Sequence, residues 1–218
     1  MKTVTIVLAD DHRIVRQGFR ALLECLPDFD IVGEADDGLQ AIRLVEQLKP
    51  DVLVVDFAMP GLDGISVTQQ VRRRCPGTRV VMLSMHRNEA YVFAALSKGV
   101  QAYVLKESSA NDLVKAIREV IAGRRWLSPP LSENSLHAYA EKTKGGTLDV
   151  YFTLSERERQ VLHLIAEGDK NLEIARKLGI SDRTVEKHRA SLMSKLKIRD
   201  VPALVRFALK HSITSLNN

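Results

Sequence analysis

Along this chain the spacing of apolar residues changes once. Through residue 122, short apolar runs alternate with stripes spaced three and four apart; after Tyr151 only the stripes remain. Segments 4–9, 31–35, 52–55, 80–83 and 102–105 predict five strands. Val52-Leu53-Val54-Val55, Val80-Val81-Met82-Leu83 and Tyr103-Val104-Leu105 are apolar throughout. Strands of that kind need cover on both faces, as in the middle of a parallel sheet. Ile14, Val15, Gly18, Phe19, Leu22 and Leu23 form one helical stripe; Leu113, Val114, Ile117, Val120 and Ile121 form another. Five strand–helix repeats predict an α/β domain over residues 1–122, built on a doubly wound five-stranded parallel sheet.

The rhythm fails across 123–150. There Ser128-Pro129-Pro130 and Lys144-Gly145-Gly146 punctuate a polar linker, with room for a short helix around 132–142. Beyond it four helices are predicted, near 156–167, 172–178, 182–196 and 201–210, so residues 151–218 form a small all-α domain. Ser155 and Glu158, three positions apart, make a capping box for the first of these. Gly179 is the left-handed stop of the second, and Ser181 caps the third. Helix, tight glycine turn, longer helix: this is a helix-turn-helix.

A chain that is 45% hydrophobic and 27% charged over 218 residues is globular. No run approaches the ~20 apolar residues of a membrane-spanning helix. Met1-Lys2-Thr3-Val4 leads directly into a strand without a leader pattern. Cys25 and Cys75 have no metal-type spacing and read as reduced thiols. A cytoplasmic protein with no membrane partner is expected. Charge adds one point. Residues 1–124 carry 16 Lys+Arg and 16 Asp+Glu, whereas residues 125–218 carry 16 against 11, so the whole formal +5 lies in the second half. Such an excess suits a polyanionic partner or simply a solvated surface.

In open parallel sheets, ligands bind at the carboxyl ends of the strands. Asp10 and Asp11 end the first predicted strand and Asp56 the third. Three carboxylates brought together repel unless a cation joins them, and a partly hydrated oxygen cluster suits Mg²⁺. Alternatively, the acids only cap the helices that follow. Ser84 after the fourth strand and Lys106 after the fifth turn the balance toward a phosphoryl site. In it Lys106 neutralises oxygens, Ser84 donates a hydrogen bond and Asp56 attacks phosphorus.

Asp10-Asp11, Asp56 within Asp56-Phe57-Ala58-Met59-Pro60-Gly61-Leu62-Asp63-Gly64, Leu83-Ser84-Met85-His86 and Lys106 together resemble the flavodoxin-like receiver domain of two-component response regulators. The resemblance covers residues 3–122. It implies Asp56 as phosphoacceptor, Asp11, Asp56 and the Ala58 carbonyl as Mg²⁺ ligands, and Asp10 acting through a metal-bound water. The implied donor is a phosphohistidine on a sensor histidine kinase. Ser84 and Tyr103 are the implied switch pair, with Tyr103 placed to swing inward; an ordinary half-buried strand aromatic is the alternative. The responding surface would be the helix near 88–98, the last strand and the last helix. Two departures stand out. Receivers often carry a cis proline after the lysine, where this chain has Glu107, and a cis bond there would cost about 2.5–4 kcal/mol. Ala58 cannot position a water, so spontaneous dephosphorylation should be slow, with His86 as the nearby polar group to offset it.

On the helix near 182–196, Val185, Arg189, Leu192 and Leu196 face the core, while Arg183, Glu186, Lys187, Ala190 and Ser194 face away. Arg183 and Lys187 can reach bases or phosphates of double-stranded DNA, and Ser181, Thr184 and Asn171 suit phosphates. His188 either joins them or packs structurally. Six Lys+Arg against two acids within 181–199 lean the same way. Leu154-Ser155-Glu156-Arg157-Glu158-Arg159-Gln160-Val161-Leu162 through Thr184-Val185-Glu186-Lys187-His188-Arg189 resembles the LuxR-type DNA-binding domain, over residues 151–214. The whole chain therefore resembles the NarL/FixJ class of response regulators. Its last stripe, Val201, Leu204, Val205, Ala208 and Leu209, is similar to that class's dimerisation helix, or packs only within its own domain. A homodimer on an inverted-repeat site follows from two-fold pairing, and RNA polymerase is a candidate partner. An enzyme is the rival reading. An aspartyl-phosphate hydrolase would want an acid two positions after Asp56, where Ala58 stands, so no enzyme is expected. A second rival is a DNA-binding dimer indifferent to phosphorylation.

Overall fold

The computed structural model describes residues 3–59, 61–134, 136, 140, 150–211 and 213. Its first half runs β1 (Val4–Ala9), α1 (Arg13–Glu24), β2 (Phe29–Ala35), α2 (Gly38–Leu48), β3 (Val52–Asp56), α3 (Gly64–Arg74), β4 (Arg79–Ser84), α4 (Glu89–Ser97), β5 (Ala102–Leu105), α5 (Ala110–Ile121) and β6 (Trp126–Leu127). All strand pairs are parallel, in the order β2-β1-β3-β4-β5-β6.

Side chains alternate across the sheet, as the pleat requires. Ile6, Leu8, Val52, Val54, Val81 and Leu83 pack on one face beneath Leu23 of α1 and Leu113 and Ile117 of α5. Val7, Leu53, Val55, Val80 and Met82 face the other way, toward Val45, Val67, Val71 and Val92 of α2, α3 and α4. Double-sided burial explains the uninterrupted apolar runs in the middle strands.

Five strands were expected and six are present. Trp126 pairs with Ala102 and Leu127 with Tyr103, within the stretch read as linker. Two residues are too few to show a period, so no pattern announced this strand. Ser128 extends the attachment: it is fully buried, and its Oγ accepts a hydrogen bond from Leu105 N at 2.9 Å. The short helix expected around 132–142 and the Lys144-Gly145-Gly146 segment lie largely or wholly outside the described residues.

A 3₁₀ turn (Val150–Thr153) opens the second half, followed by α6 (Glu156–Ala166), α7 (Asn171–Leu178), α8 (Asp182–Leu196) and α9 (Val201–Lys210). Ser155 and Glu158 form the capping box, at 2.6 and 3.3 Å. Gly179 takes φ +64° at the end of α7, and Ser181 Oγ accepts from Thr184 N at 3.2 Å to start α8. Glu158 also accepts from Ser191 Oγ (2.6 Å) and Lys195 Nζ (2.7 Å), clamping the back of α8 to the start of α6. The two halves share one apolar cluster, in which Tyr151, Leu154 and Leu162 continue the α3–α4 side of the sheet. Among the described residues, no helix is long and apolar enough to cross a membrane.

Candidate functional site

Each polar residue of the first site is placed by the end of a strand. Asp10 follows β1, Asp56 closes β3, Ser84 closes β4 and Lys106 follows β5. Asp10, Asp56 and Ser84 are almost fully buried. Lys106 Nζ lies 2.7 Å from Asp56 Oδ2 and 2.8 Å from Asp10 Oδ2. Gly64 makes the floor possible. Its N–H donates to Phe57 O at 2.9 Å, and a Cβ there would sit 2.2 Å from the Asp56 carbonyl oxygen.

Burial pushes the Asp56 acid constant up to about 7 against the pull of Lys106, and burial raises Asp11 as well. For Lys106, burial works against the charge but is outweighed by Asp56 and Asp10, so the ammonium is favoured. Carboxylates held in this way are under-compensated. Among the described residues, Asp10 Oδ2 and Asp11 Oδ1 are buried without a well-aligned hydrogen-bond donor, with Lys106 and His12 at ion-pair distance. Ligand atoms of Asp10, Asp11, His12 and Asp56 lie within 4.8 Å of one another. A hard divalent cation fits that donor set. His12 is an addition to the expected group; its Nδ1 is 2.9 Å from Asp11 Oδ1.

Ala58 is half-buried on the loop after Asp56. Tyr103 is fully buried already, so neither an outward ring awaiting a swing nor a half-buried aromatic describes it. Its hydroxyl donates to the His86 carbonyl at 3.0 Å, and its backbone is enclosed between β4 and β6. Burial raises its acid constant. His86 was expected near the acceptor, yet its ring stacks on Tyr91 at 4.1 Å and meets the edge of Phe57 at 5.0 Å. The Lys106–Glu107 bond is trans: among the described residues, Pro129–Pro130 alone is cis. Glu107 pairs with Arg87.

The second surface is the outer face of α8. Arg183, Glu186, Lys187, Ala190 and Ser194 are all exposed, as is Ser181, while Thr184 and His188 are half-buried. Val185 and Leu192 fill the core behind them. Asn171, at the start of α7, accepts from Arg189 Nη1 at 3.2 Å, which ties the two helices at their base. In α9 the expected stripe divides: Leu204 and Ala208 are fully buried within the domain, whereas Val201, Val205 and Leu209 remain half-buried.

A lysine-bridged carboxylate cluster at the carboxyl edge of a doubly wound sheet, joined to a helix-turn-helix, is the plan of a two-component response regulator. Residues 6–118 match the response regulator receiver domain family, and residues 152–208 match the bacterial regulatory proteins of the luxR family. The chain is 37% identical over 212 residues to the oxygen regulatory protein NreC of Staphylococcus carnosus (strain TM300), covering 95% of this chain and 98% of that one. Among solved structures it is similar to the RcsB response regulator of Salmonella typhimurium, with TM-score 0.68 and 31% identity over 99% of this chain and 100% of that one. It is also similar to RcsB of Salmonella enterica serovar Typhimurium bound to promoter rprA in the presence of phosphomimetic BeF3-, with TM-score 0.65 and 31% identity over 94% and 98%. The chain belongs to the response regulators of the NarL/FixJ class, transcription regulators with a LuxR-type DNA-binding domain.

Proposed function

We propose that Asp56 accepts a phosphoryl group from a phosphohistidine of a sensor histidine kinase, and that this event controls DNA binding by α8. The observation that carries the reading is the Lys106 ammonium held between Asp56 and Asp10, at 2.7 and 2.8 Å, at the mouth of a carboxylate cluster. An Asp56 oxygen attacks phosphorus in line; the O–P bond forms as the P–N bond breaks, and the imidazole leaves. Lys106 then pairs with phosphoryl oxygens, and Ser84, sitting at the adjacent strand end, donates to one of them. Asp10, Asp11, Asp56 and the Ala58 carbonyl would hold Mg²⁺, whose charge offsets that of the incoming oxygens. Ser84 and Tyr103 form the switch pair. Because Tyr103 is inward already, the movement that matters is at Ser84 and the His86 carbonyl bound to Tyr103.

On the DNA side, Arg183 and Lys187 reach the major groove, with Ser181, Thr184, His188 and Asn171 toward phosphates. Val201, Val205 and Leu209 pair two copies on an inverted repeat. The cytoplasm, where kinase and promoter meet, is the site of action, with RNA polymerase as a further partner. Mass spectrometry with a phosphorylated kinase should find an adduct on Asp56. Promoter occupancy should rise with it in the wild type and stay flat in Asp56→Asn. Occupancy that ignores the donor in both proteins would replace this reading with a phosphorylation-independent DNA-binding dimer.

A further inference from the structure

Asp56 is followed at once by a loop that the other half of the molecule holds. Phe57 meets Tyr91 of α4 at 5.3 Å and Tyr151 of the 3₁₀ turn at 6.5 Å. At its far end Asp63 caps α3, accepting from Ser66 N at 2.7 Å through Oδ1. Its Oδ2 accepts from Arg159 Nε at 2.6 Å and from the Tyr151 hydroxyl at 3.2 Å. Arg159 also donates to Ser66 Oγ at 2.9 Å and to the Leu154 carbonyl at 2.8 Å. The Asp63 and Arg159 side chains are only 11% and 12% exposed. Burial acts against the Arg159 charge, but Asp63 outweighs it. Beyond this pair, the Tyr91 hydroxyl is hydrogen-bonded to His211 Nδ1, just past the end of α9.

Gly64 N–H holds the Phe57 carbonyl, and Gly64 itself lies against the Asp56 backbone. Because Gly64 adjoins Asp63 in the chain, this close backbone packing passes a change at Asp63 to Asp56 instead of absorbing it. Meanwhile the outer face of α8 stands clear of the seam, with Arg183 and Lys187 exposed. Closure therefore does not act by covering the recognition helix; what it grips is the acceptor loop.

We propose that Arg159, a residue of the DNA-binding half, is a positioning residue that opposes phosphoryl acceptance. Through Asp63 and the adjoining Gly64 it holds the Phe57 carbonyl and the Asp56 backbone in their closed-seam arrangement, and a phosphoryl group on Asp56 favours the open one. This rests on Asp56 being the acceptor. Removing the guanidinium leaves Asp63 buried without its cation, which penalises the closed seam. If only a small fraction of the wild type is open, its apparent affinity for a phosphoryl mimic is reduced by that fraction, and opening the seam restores it.

The test titrates beryllofluoride with Mg²⁺ into the full chain by calorimetry and follows domain separation by small-angle scattering. Arg159→Gln should bind beryllofluoride about tenfold more tightly than wild type, and should be extended before any is added. Arg159→Lys should fall between the two. Tyr91→Phe, which deletes one hydroxyl at the far end of the seam, should shift both readouts in the same direction by less. Asp56→Asn should bind none. A purely structural role for Arg159 within α6 would lower the melting temperature and leave beryllofluoride affinity unchanged. Equal affinity in wild type and Arg159→Gln, with Asp56→Asn still not binding, overturns the proposal. Absence of Asp56-dependent binding in the wild type overturns the acceptor reading beneath it as well.

Discussion

The carboxylate pocket and the outer face of α8 solve opposite problems. In the pocket, Asp10, Asp56 and Ser84 are buried at strand ends, and half-buried Lys106 bridges the two carboxylates. On α8, Arg183 and Lys187 stand in solvent, and order is supplied from behind by Val185, Leu192 and the Glu158 clamp. The pocket carries its chemistry with it, since desolvation and the lysine set the charge state before any ligand arrives. As the proposed DNA contact, the outer face of α8 would carry only reach and sign, and the duplex would supply the rest. Substitutions should therefore act differently in the two places, by large discrete losses in one and by graded changes in the other.

The sharpest break would come at Lys106. Lys106→Met leaves two buried carboxylates without their cation and removes the charge proposed to meet phosphoryl oxygens. Adduct formation on Asp56, timed by quenched-flow mass spectrometry, should slow by about 10²–10³-fold. DNA binding by the unphosphorylated protein should not weaken. A loss of less than about threefold would place the essential charge elsewhere.

Next in size is the clamp behind α8. Burial alone would raise the Glu158 acid constant, but it is outweighed by hydrogen bonds from Lys195, Ser191 and Ser155, which hold it down at about 2. A depressed carboxylate stabilises the fold above its unfolded value, and that contribution is lost as pH falls from the ordinary carboxylate range toward 2. The stake is about 2–3 kcal/mol, allowing for the partly exposed Lys195. Denaturant titrations of wild type and Glu158→Gln should differ by that amount at pH 7 and converge near pH 2. A constant gap across that range would assign the stability to packing instead.

These contrasts also explain what the sequence could and could not say. Segments 52–55 and 80–83 were legible because burial on both sides leaves an unbroken apolar run. Asp10, Asp56, Ser84 and Lys106 were legible because each ends a strand, and parallel strands bring those ends together. The capping box and Gly179 followed from local backbone chemistry. Trp126–Leu127 was hidden by its length, and His86 by its position: proximity in sequence to Ser84 suggested the pocket, but the ring packs into the aromatic seam. Arg159 meets Asp63 across 96 residues, and Tyr91 meets His211 across 120. No spacing rule reaches that far, because such contacts depend on how two finished domains dock.

A graded effect is expected at Lys187. Lys187→Ala should weaken promoter binding by about 1–2 kcal/mol and lower the slope of log affinity against log salt by about 1 if the ammonium meets a phosphate. If it meets a base edge, the loss should depend on the operator sequence at one position while the salt slope stays nearly the same. Anisotropy titrations at several salt concentrations on two operator variants separate these outcomes. No change in either would remove Lys187 from the interface.

The smallest effect returns to the pocket and tests how self-contained it is. Ala58 offers no polar side chain, and the His86 ring that might have replaced it is stacked on Tyr91. With neither Ala58 nor His86 placed to orient an attacking water, the aspartyl phosphate should last many minutes or longer. Ala58→Asn places an amide two residues past the acceptor and should shorten that lifetime by about fivefold, well below the ~10²-fold of a true general base. Decay of the phosphorylated form on phosphate-affinity gels measures both. A wild-type lifetime of seconds would show that a group outside Ala58 and His86 already guides water to phosphorus, and that the pocket is less closed to solvent than its buried carboxylates imply.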